Sequence, residues 1–205
     1  MKSVLITAFE PYDVWTSNAS WLALMELVRE RPAEPRIVTR RYPVDFQAVQ
    51  ERLAADLDGD YDLALHLGQA PGTGLIKLEA FGVNVGGRIG QHPDEFAPLS
   101  LAGPAAYRSQ APLARWAGQL RSAGIPAAVS HHAGTYLCNA TLYWTHHLAE
   151  LRGLRTQSAF LHLPLDPSQV IGQTRDLPSL PAATVAAALR LILADVVSEA
   201  PPSLA

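Results

Sequence analysis

Short runs of apolar residues alternate along the chain with segments whose apolar residues recur at helical spacing. Continuous apolar runs, typical of strands buried in a sheet, occupy residues 3–9, 62–67 and 159–163. Helical spacing follows at residues 18–31, where Asn18 or Ser20 can cap the helix, and at residues 45–57, which Asp45 can open. The chain therefore begins as a repeated strand and helix.

The alternation continues to the end of the chain. Further strands are predicted at 36–42, 127–130 and, as one strand or two, 75–85; further helices are predicted at 113–122, 141–151 and 182–198. Short strands separated by helices are typical of an α/β sheet covered on both faces. We predict a single domain over residues 1–205: a three-layer α/β/α sandwich around a mostly parallel or mixed twisted sheet, with no repeat or linker that would support a second domain.

Two features suggest where function lies. Ligands of such sheets bind outside the carboxyl ends of the strands, so we expect the loops after Phe9, Leu67, Ser130 and Leu163 to gather at one edge. Residues 86–111 are rich in Gly and Pro and show no clear periodicity. A segment of that length inside a compact domain indicates a functional or mobile excursion.

Composition and charge narrow the class of protein. The 205 residues are 48% hydrophobic and 17% charged, which is enough apolar content for a globular core. The net charge of −3, without a Lys/Arg block, gives no basic footprint for nucleic acid or an anionic membrane. No apolar run approaches a membrane span, and residues 1–3 begin no signal-peptide pattern, so we expect a cytoplasmic protein with neutral or small partners.

Cys138 is the only cysteine, which excludes an intrachain disulfide and makes it either a nucleophile or an inert buried thiol. It lies between a predicted strand and a predicted helix, at or near the first helical turn. There the helix dipole and free N–H groups favour the thiolate, and the N–H of Cys138 could face an oxyanion. The preceding Gly134 and Thr135 would supply a tight turn and an N-cap.

Two further residues could complete a nucleophilic site. His162 ends an apolar strand just before Pro164, and histidine is the usual proton acceptor for a thiol nucleophile; alone, it is as well explained as a partly buried histidine bonded to a carbonyl. Glu79 lies within the apolar segment predicted as one or two strands at 75–85, where a carboxylate needs a partner or must stand at the solvated end of its strand. Together the three residues supply a nucleophile, a base and an orienting carboxylate.

Several motifs resemble one enzyme family. The run Ala133-Gly-Thr-Tyr-Leu-Cys138-Asn resembles the nucleophile motif of pyroglutamyl peptidase I, and Phe160-Leu-His162-Leu-Pro164 resembles that family's histidine motif. The other similar runs are Ile6-Thr-Ala-Phe9-Glu-Pro-Tyr12, Asn18-Ala-Ser-Trp21, His66-Leu-Gly-Gln69-Ala, Leu78-Glu79 and Val83-Asn84-Val85. They occur in the family's order over about residues 3–170.

The resemblance implies the α/β fold, a triad of Glu79, Cys138 and His162, and hydrolysis without a metal or cofactor. It implies peptides with an N-terminal pyroglutamate as substrates, no nucleic-acid or membrane partner, and a homo-oligomer, commonly a tetramer. Phe9 and Tyr12 match positions of the family's ring pocket, and Gln69 and Asn18 match polar positions near it.

Departures from the pattern keep other functions open. Tyr12 replaces the usual phenylalanine, Ala8 and Asp13-Val14 replace glycines, and Arg88, which resembles an arginine beside the oxyanion site, follows Asn84 with one residue fewer than usual. The alternative function is a catalytically silent or retargeted homologue that binds or hydrolyses another small acyl or lactam ligand. A phosphate loop at residues 68–74 and a zinc site at the paired histidines are disfavoured, because no Gly-Lys-Ser/Thr follows the glycines and adjacent histidines point apart.

Overall fold

The computed structural model describes residues 1–198, which form one six-stranded sheet with helices on both faces and a small two-stranded sheet. The strands are β1 Ser3–Phe9, β2 Arg36–Tyr42, β3 Leu63–Gln69, β4 Ile76–Glu79, β5 Phe81–Val83, β6 Ala106–Arg108, β7 Ala127–Ser130 and β8 Gln157–Leu163. The helices are α1 Ala19–Arg29, α2 Phe46–Asp56, α3 Leu113–Ser122, α4 Leu137–Arg152, α5 Pro167–Val170 and α6 Ala182–Ser198. This architecture confirms the predicted α/β class.

The main sheet is mixed and has the strand order β2-β1-β3-β8-β4-β7. Strands β1, β2, β3 and β8 run parallel, whereas β4 pairs antiparallel with β8 and parallel with β7. The expectation of one common edge is wrong for the loop after Ser130: β7 runs against the parallel strands, so the chain leaves Ser130 in the opposite direction from the chain that leaves Phe9, Gln69 and Leu163. Residues 132–136 nevertheless line the same cavity as Tyr12 and Ala70, which lie in the loops after Phe9 and Gln69.

Each face of the sheet packs against its own helices. Side chains of α1, α3 and α6 form one core with residues such as Leu78 and Leu161, while α2 and α4 form another with residues such as Leu5 and Phe160. Side chains alternate between the faces along a strand, so His162 lies on the same face as Phe160, and Glu79 lies opposite to Leu78. The candidate site residues of β4 and β8 therefore face α4.

The excursion predicted at residues 86–111 is ordered by contacts with α4. Its end forms β6, which pairs antiparallel with β5. The Tyr107 hydroxyl donates to Glu150 at 2.5 Å and contacts Nδ1 of His147 at 2.9 Å, and Nε2 of His147 lies 3.0 Å from the Ser100 hydroxyl. The excursion is therefore tied to α4, the helix that carries Cys138, at that helix's far end.

Most predicted bounds agree with the structure, and the differences lie near the site. Helix α4 begins at Leu137 rather than at residue 141, β3 extends to Gln69, and the short helix α5 was not predicted. Asn18, rather than Ser20, caps α1. None of the helices in residues 1–198 is both long enough and apolar enough to cross a membrane.

Candidate active site

A cavity of about 400 Å³ opens on the α4 side of the sheet. All eight residues singled out from the sequence line it: Phe9, Tyr12, Asn18, Gln69, Glu79, Arg88, Cys138 and His162. They come from β1, the following loop, β3, β4, the excursion, α4 and β8. The fold thus brings together residues that are up to 153 positions apart.

Cys138 is the second residue of α4 and is half-buried. The first intrahelical hydrogen bond near it is donated by the N–H of Ala140 to the Tyr136 carbonyl, so the N–H of Cys138 precedes the hydrogen-bond ladder. The predicted tight turn is present, because Gly134 has a φ of 78°. The predicted cap is wrong: the N-cap is Tyr136, without a side-chain bond, because Thr135 lies one residue too early.

His162 lies between Cys138 and Glu79. Its Nδ1–H donates to Oε1 of Glu79 at 2.8 Å, and both side chains are almost fully enclosed. Burial alone would lower the pKa of His162, but the Cys138 charge, the hydrogen bond to Cys138 and the Glu79 carboxylate together raise it to about 10. The imidazolium form of His162 is therefore favoured beside Cys138 and Glu79.

Glu79 is held on β4 without contact with solvent. One oxygen binds His162, whereas Oε2 is buried and has no hydrogen-bond partner within the described residues. A carboxylate in this apolar strand needs a partner, and His162 is that partner.

Aromatic side chains form one wall of the cavity. Phe9 is buried at the end of β1, and Tyr12 is half-buried in the following loop. Burial, followed by the Cys138 charge, raises the pKa of Tyr12 to about 12, and its hydroxyl contacts the Gln69 carbonyl at 3.4 Å. The next residue, Asp13, has a φ of 53°, a conformation that glycine adopts without strain.

Gln69 and Asn18 use their amides differently. The Oε1 atom of Gln69 accepts from the Ala19 N–H at 2.8 Å and from Nε2 of Gln169 at 2.7 Å, which leaves Nε2 of Gln69 buried without a partner in the described residues. Asn18 accepts from Ser20 and donates to the Glu10 carbonyl at 3.0 Å. Gln69 thus retains a free donor, whereas Asn18 uses its amide to hold the loop and cap α1.

Arg88 lies at the mouth of the cavity, and its side chain is exposed. Burial raises the pKa of Tyr136, and the nearby Arg88 guanidinium opposes that effect. The segment before Arg88 is fixed to the start of α4: the Gly87 N–H donates to the Thr135 carbonyl, and Asn139 bonds the backbone of Val83 at 2.8 and 2.9 Å. Arg88 is therefore placed close to the start of α4, the helix that carries Cys138.

The cavity also contains residues that sequence reasoning did not select. Lys77 and His132 line it, and Gln169 holds Gln69 from behind. Gln169 belongs to a capping box with Asp166, a spacing that is readable as a helix start but not as part of a site. Lys77 lies two residues before Glu79 in β4, so strand alternation could have placed both side chains on one face.

The paired histidines do not form a metal cluster. Within residues 1–198, no group of three or more His, Cys, Asp or Glu side chains could hold a metal ion. His131 and His132 are exposed, whereas His146 is half-buried and His147 bonds Tyr107 and Ser100.

Comparison with known proteins agrees with this geometry. The family model for pyroglutamyl peptidase matches residues 2–199. The pyrrolidone-carboxylate peptidase of Streptomyces coelicolor is 39% identical over 204 residues, covering 95% of this chain and 91% of its own, and that of Erwinia tasmaniensis is 39% identical over 198 residues, covering 93% and 91%.

Solved structures show the same fold. A mutant pyrrolidone carboxyl peptidase from P. furiosus superposes with a TM-score of 0.87 at 29% identity, covering 97% of this chain and 100% of its own. The pyrrolidone carboxyl peptidase of Fervidobacterium islandicum gives a TM-score of 0.85 at 32% identity, covering 96% and 98%. The protein is a cysteine-type peptidase. It belongs to the pyroglutamyl peptidase family.

Proposed function

We propose that this peptidase removes N-terminal pyroglutamate from peptides, with Cys138 as nucleophile, His162 as acid and base, and Glu79 as the group that orients His162. The observation that carries this assignment is the position of His162, which is hydrogen-bonded to Glu79 at 2.8 Å and lies close enough to Cys138 for the Cys138 charge to raise its pKa. Family membership supports the same reaction.

Acylation begins when His162 takes the proton of Cys138, or from an ion pair that the two residues already form. The Cys138 thiolate attacks the pyroglutamyl carbonyl, and the N–H of Cys138 at the start of α4 stabilises the oxyanion. Protonated His162 then donates its proton to the leaving amine, the C–N bond breaks, and a thioester remains on Cys138.

Deacylation follows from the same electrostatics. The negative charge on Cys138, the largest of the effects that raise the pKa of His162, disappears when the thioester forms. The pKa of His162 therefore falls in the acyl-enzyme, and the neutral ring can take a proton from water. Hydroxide attack on the thioester releases pyroglutamate and restores the ion pair.

The cavity walls suit a neutral lactam. Pyroglutamate carries no ammonium group, so its pocket needs apolar walls and a few amide partners rather than a carboxylate. Phe9 and Tyr12 provide the aromatic wall, and the unpartnered Nε2 of Gln69 provides a donor for the lactam carbonyl. Asn18 shapes the pocket by holding the loop, and Arg88 adds positive charge near the oxyanion.

A fluorogenic assay tests the reaction and the nucleophile together. Wild type and Cys138→Ala are compared, under reducing conditions, on pyroglutamyl and prolyl derivatives of one fluorescent amine. We expect turnover of the pyroglutamyl compound alone, abolished in Cys138→Ala. Folded wild type without turnover would support the silent or retargeted homologue. Iodoacetamide gives an independent check, because Cys138 is the only thiol.

We further propose that residues 1–205 form one catalytic domain that works in the cytoplasm as a homo-oligomer, a tetramer by family resemblance. A reducing compartment fits a mechanism that depends on a free thiol. Light scattering coupled to size-exclusion chromatography would measure the mass in solution, and a monomer mass near 22.1 kDa at micromolar concentration would contradict the oligomer.

A further inference from the structure

Lys77 lies beside the residue that protonates the leaving amine. It is one of only two lysines in the sequence and pairs directly with His162 in the antiparallel register of β4 and β8. Side chains of directly opposed residues project on the same face, with Cβ atoms about 4.5–5.5 Å apart. Leu78, the next residue, packs into the opposite core, which confirms that Lys77 faces the cavity.

The Lys77 ammonium has no counter-ion within residues 1–198, where neither a hydrogen bond nor an ion pair involves its side chain. The other lysine, Lys2, pairs with Asp62 at 3.4 Å. Lys77 is half-buried, and an ammonium taken partly out of water without a partner lowers the stability of the folded state. A ligand that brings a negative charge would remove this cost.

The cavity around Lys77 favours an anion. Arg88 and His132 also line it, and Glu79 is the single carboxylate among its described lining residues. Glu79 bonds His162 through Oε1, and its Oε2 is enclosed. The volume of about 400 Å³ exceeds the need of one five-membered lactam, so space remains for the next residue of a peptide.

We propose that Lys77 binds a carboxylate carried by the residue that follows pyroglutamate, and so gives the enzyme a preference for anionic leaving groups. This inference rests on the proposed function, because it assumes that His162 protonates the leaving amine. The α-carbon of the leaving residue is bonded to that nitrogen, so its substituents lie within reach of the flexible four-carbon stem of Lys77. The carboxylate is either an Asp or Glu side chain or the C-terminal carboxylate of a pyroglutamyl dipeptide.

Two matched substrate sets separate these sources. The first set is pyroglutamyl-Glu-Ala-amide, pyroglutamyl-Gln-Ala-amide and pyroglutamyl-Lys-Ala-amide, which differ only in side-chain charge. The second is pyroglutamyl-alanine as free acid and as amide. We expect kcat/KM to favour Glu over Gln, or the free acid over the amide, by about fivefold, the upper range of an exposed ion pair. The ratio should decrease as NaCl is raised from about 0.05 to 0.5 M.

Three substitutions of Lys77 test the cause. Lys77→Met retains the length and removes the charge, so the anionic preference should disappear. Lys77→Arg should retain it, and Lys77→Glu should reverse it in favour of the Lys substrate. Lys2→Met is the matched control, because it removes the same charge at a remote site and should leave the ratio unchanged.

The outcomes distinguish this inference from the proposed function. Wild type that cleaves all five compounds with kcat/KM independent of charge, or a preference that survives in Lys77→Met, would overturn the role of Lys77 and leave the reaction intact. Wild type that cleaves none of the compounds would overturn the proposed reaction, and with it the inference.

Discussion

Gly68 and Cys138 are in such close contact that a Cβ atom added to Gly68 would lie 2.9 Å from Sγ. The same atom would lie 2.6 Å from the ring of Phe160, which is fully buried and cannot move aside easily. Gly68 pairs with His162 in the register of β3 and β8, so a displacement here would move both Cys138 and His162.

Gly68→Ala should therefore decrease kcat/KM by about 100-fold, because small displacements of reacting groups have effects of that order. Steady-state kinetics and urea unfolding would measure activity and stability separately. Gly118→Ala in α3 is the control, because nothing lies within 4 Å of an added Cβ there. We expect unchanged kinetics and an increase of about 0.5–1 kcal/mol in the free energy of unfolding. Normal activity in Gly68→Ala would contradict the packing argument.

The decrease of kcat/KM at alkaline pH should depend on the hydrogen bond between Glu79 and His162. The pKa of His162 is raised to about 10, so the imidazolium that protonates the leaving amine is lost only as the pH rises towards that value. In Glu79→Gln the charge of Glu79 and its charge-assisted hydrogen bond no longer raise the pKa of His162, so the alkaline limb of kcat/KM should move to lower pH. The lost charge-assisted bond, about 1.5–3 kcal/mol, predicts a decrease of about 10- to 150-fold at neutral pH. An unchanged limb would show that Glu79 does not act on His162.

Gln169 should affect substrate binding without contacting the thiol. Its Nε2 donates to Gln69 at 2.7 Å and to the Ser17 carbonyl at 3.0 Å, and thereby orients the amide proposed to bind the lactam. Gln169→Leu should raise KM by about 5- to 10-fold, the effect of one hydrogen bond of about 1–1.5 kcal/mol, with a smaller change in kcat. The rate of Cys138 alkylation should stay at the wild-type value. A decrease confined to kcat would contradict this role.

A buried histidine should make stability depend on acid pH. His66 is fully buried between the hydroxyls of Thr7, at 2.8 Å, and Thr145, at 2.9 Å; Thr145 already donates to the Thr141 carbonyl. It follows that Nε2 of His66 carries the proton. Burial, with a smaller contribution from His146, lowers the pKa of His66 to about 3.

His66 therefore binds a proton below about pH 6.5 in the unfolded chain but only below about pH 3 in the folded chain. The free energy of unfolding should decrease as the pH falls from 6.5 to 3, because protonation then favours the unfolded chain. The slope is at most about 1.4 kcal/mol per pH unit. His66→Gln, which can retain both hydrogen bonds, should show a smaller slope in urea unfolding between pH 6.5 and 4.5. His92→Gln, at an exposed position, is the control; an equal slope in both variants would contradict the assignment.

The hydrophobic pattern was sufficient to predict the three layers and most of the strands and helices. The bounds of β7, α3 and α6 follow directly from apolar periodicity, because packing on the sheet selects those residues. The start of α4 was placed inexactly, because Tyr136 caps it without a side-chain bond and Thr135, the residue with a typical capping side chain, lies one position too early. Strand direction was not read either, although the link between β3 and β4, residues 70–75, is too short for a parallel crossover.

The sequence singled out Cys138, His162 and Glu79, which line one cavity, but not all the residues that surround them. Cys138, His162 and Glu79 are unusual residues for their local surroundings, and the family motifs include them. Gln169 and Lys77 are brought near these residues by pairings that only the folded chain creates: Gln169 is 100 residues from Gln69, and Lys77 lies opposite His162 because β4 runs antiparallel to β8. Contacts between distant segments leave no local pattern.

The central position of β8 in the sheet also determines the order in which the chain can fold. β8 lies between β3 and β4, which are near neighbours in the sequence, so the sheet cannot close until residues 157–163 have been synthesised. Pairing across such separations is slow, because loop-closure entropy is lost before the contacts form. In a growing chain Cys138 is consequently synthesised well before His162, and the cavity that both residues line can form only after β8 has been made.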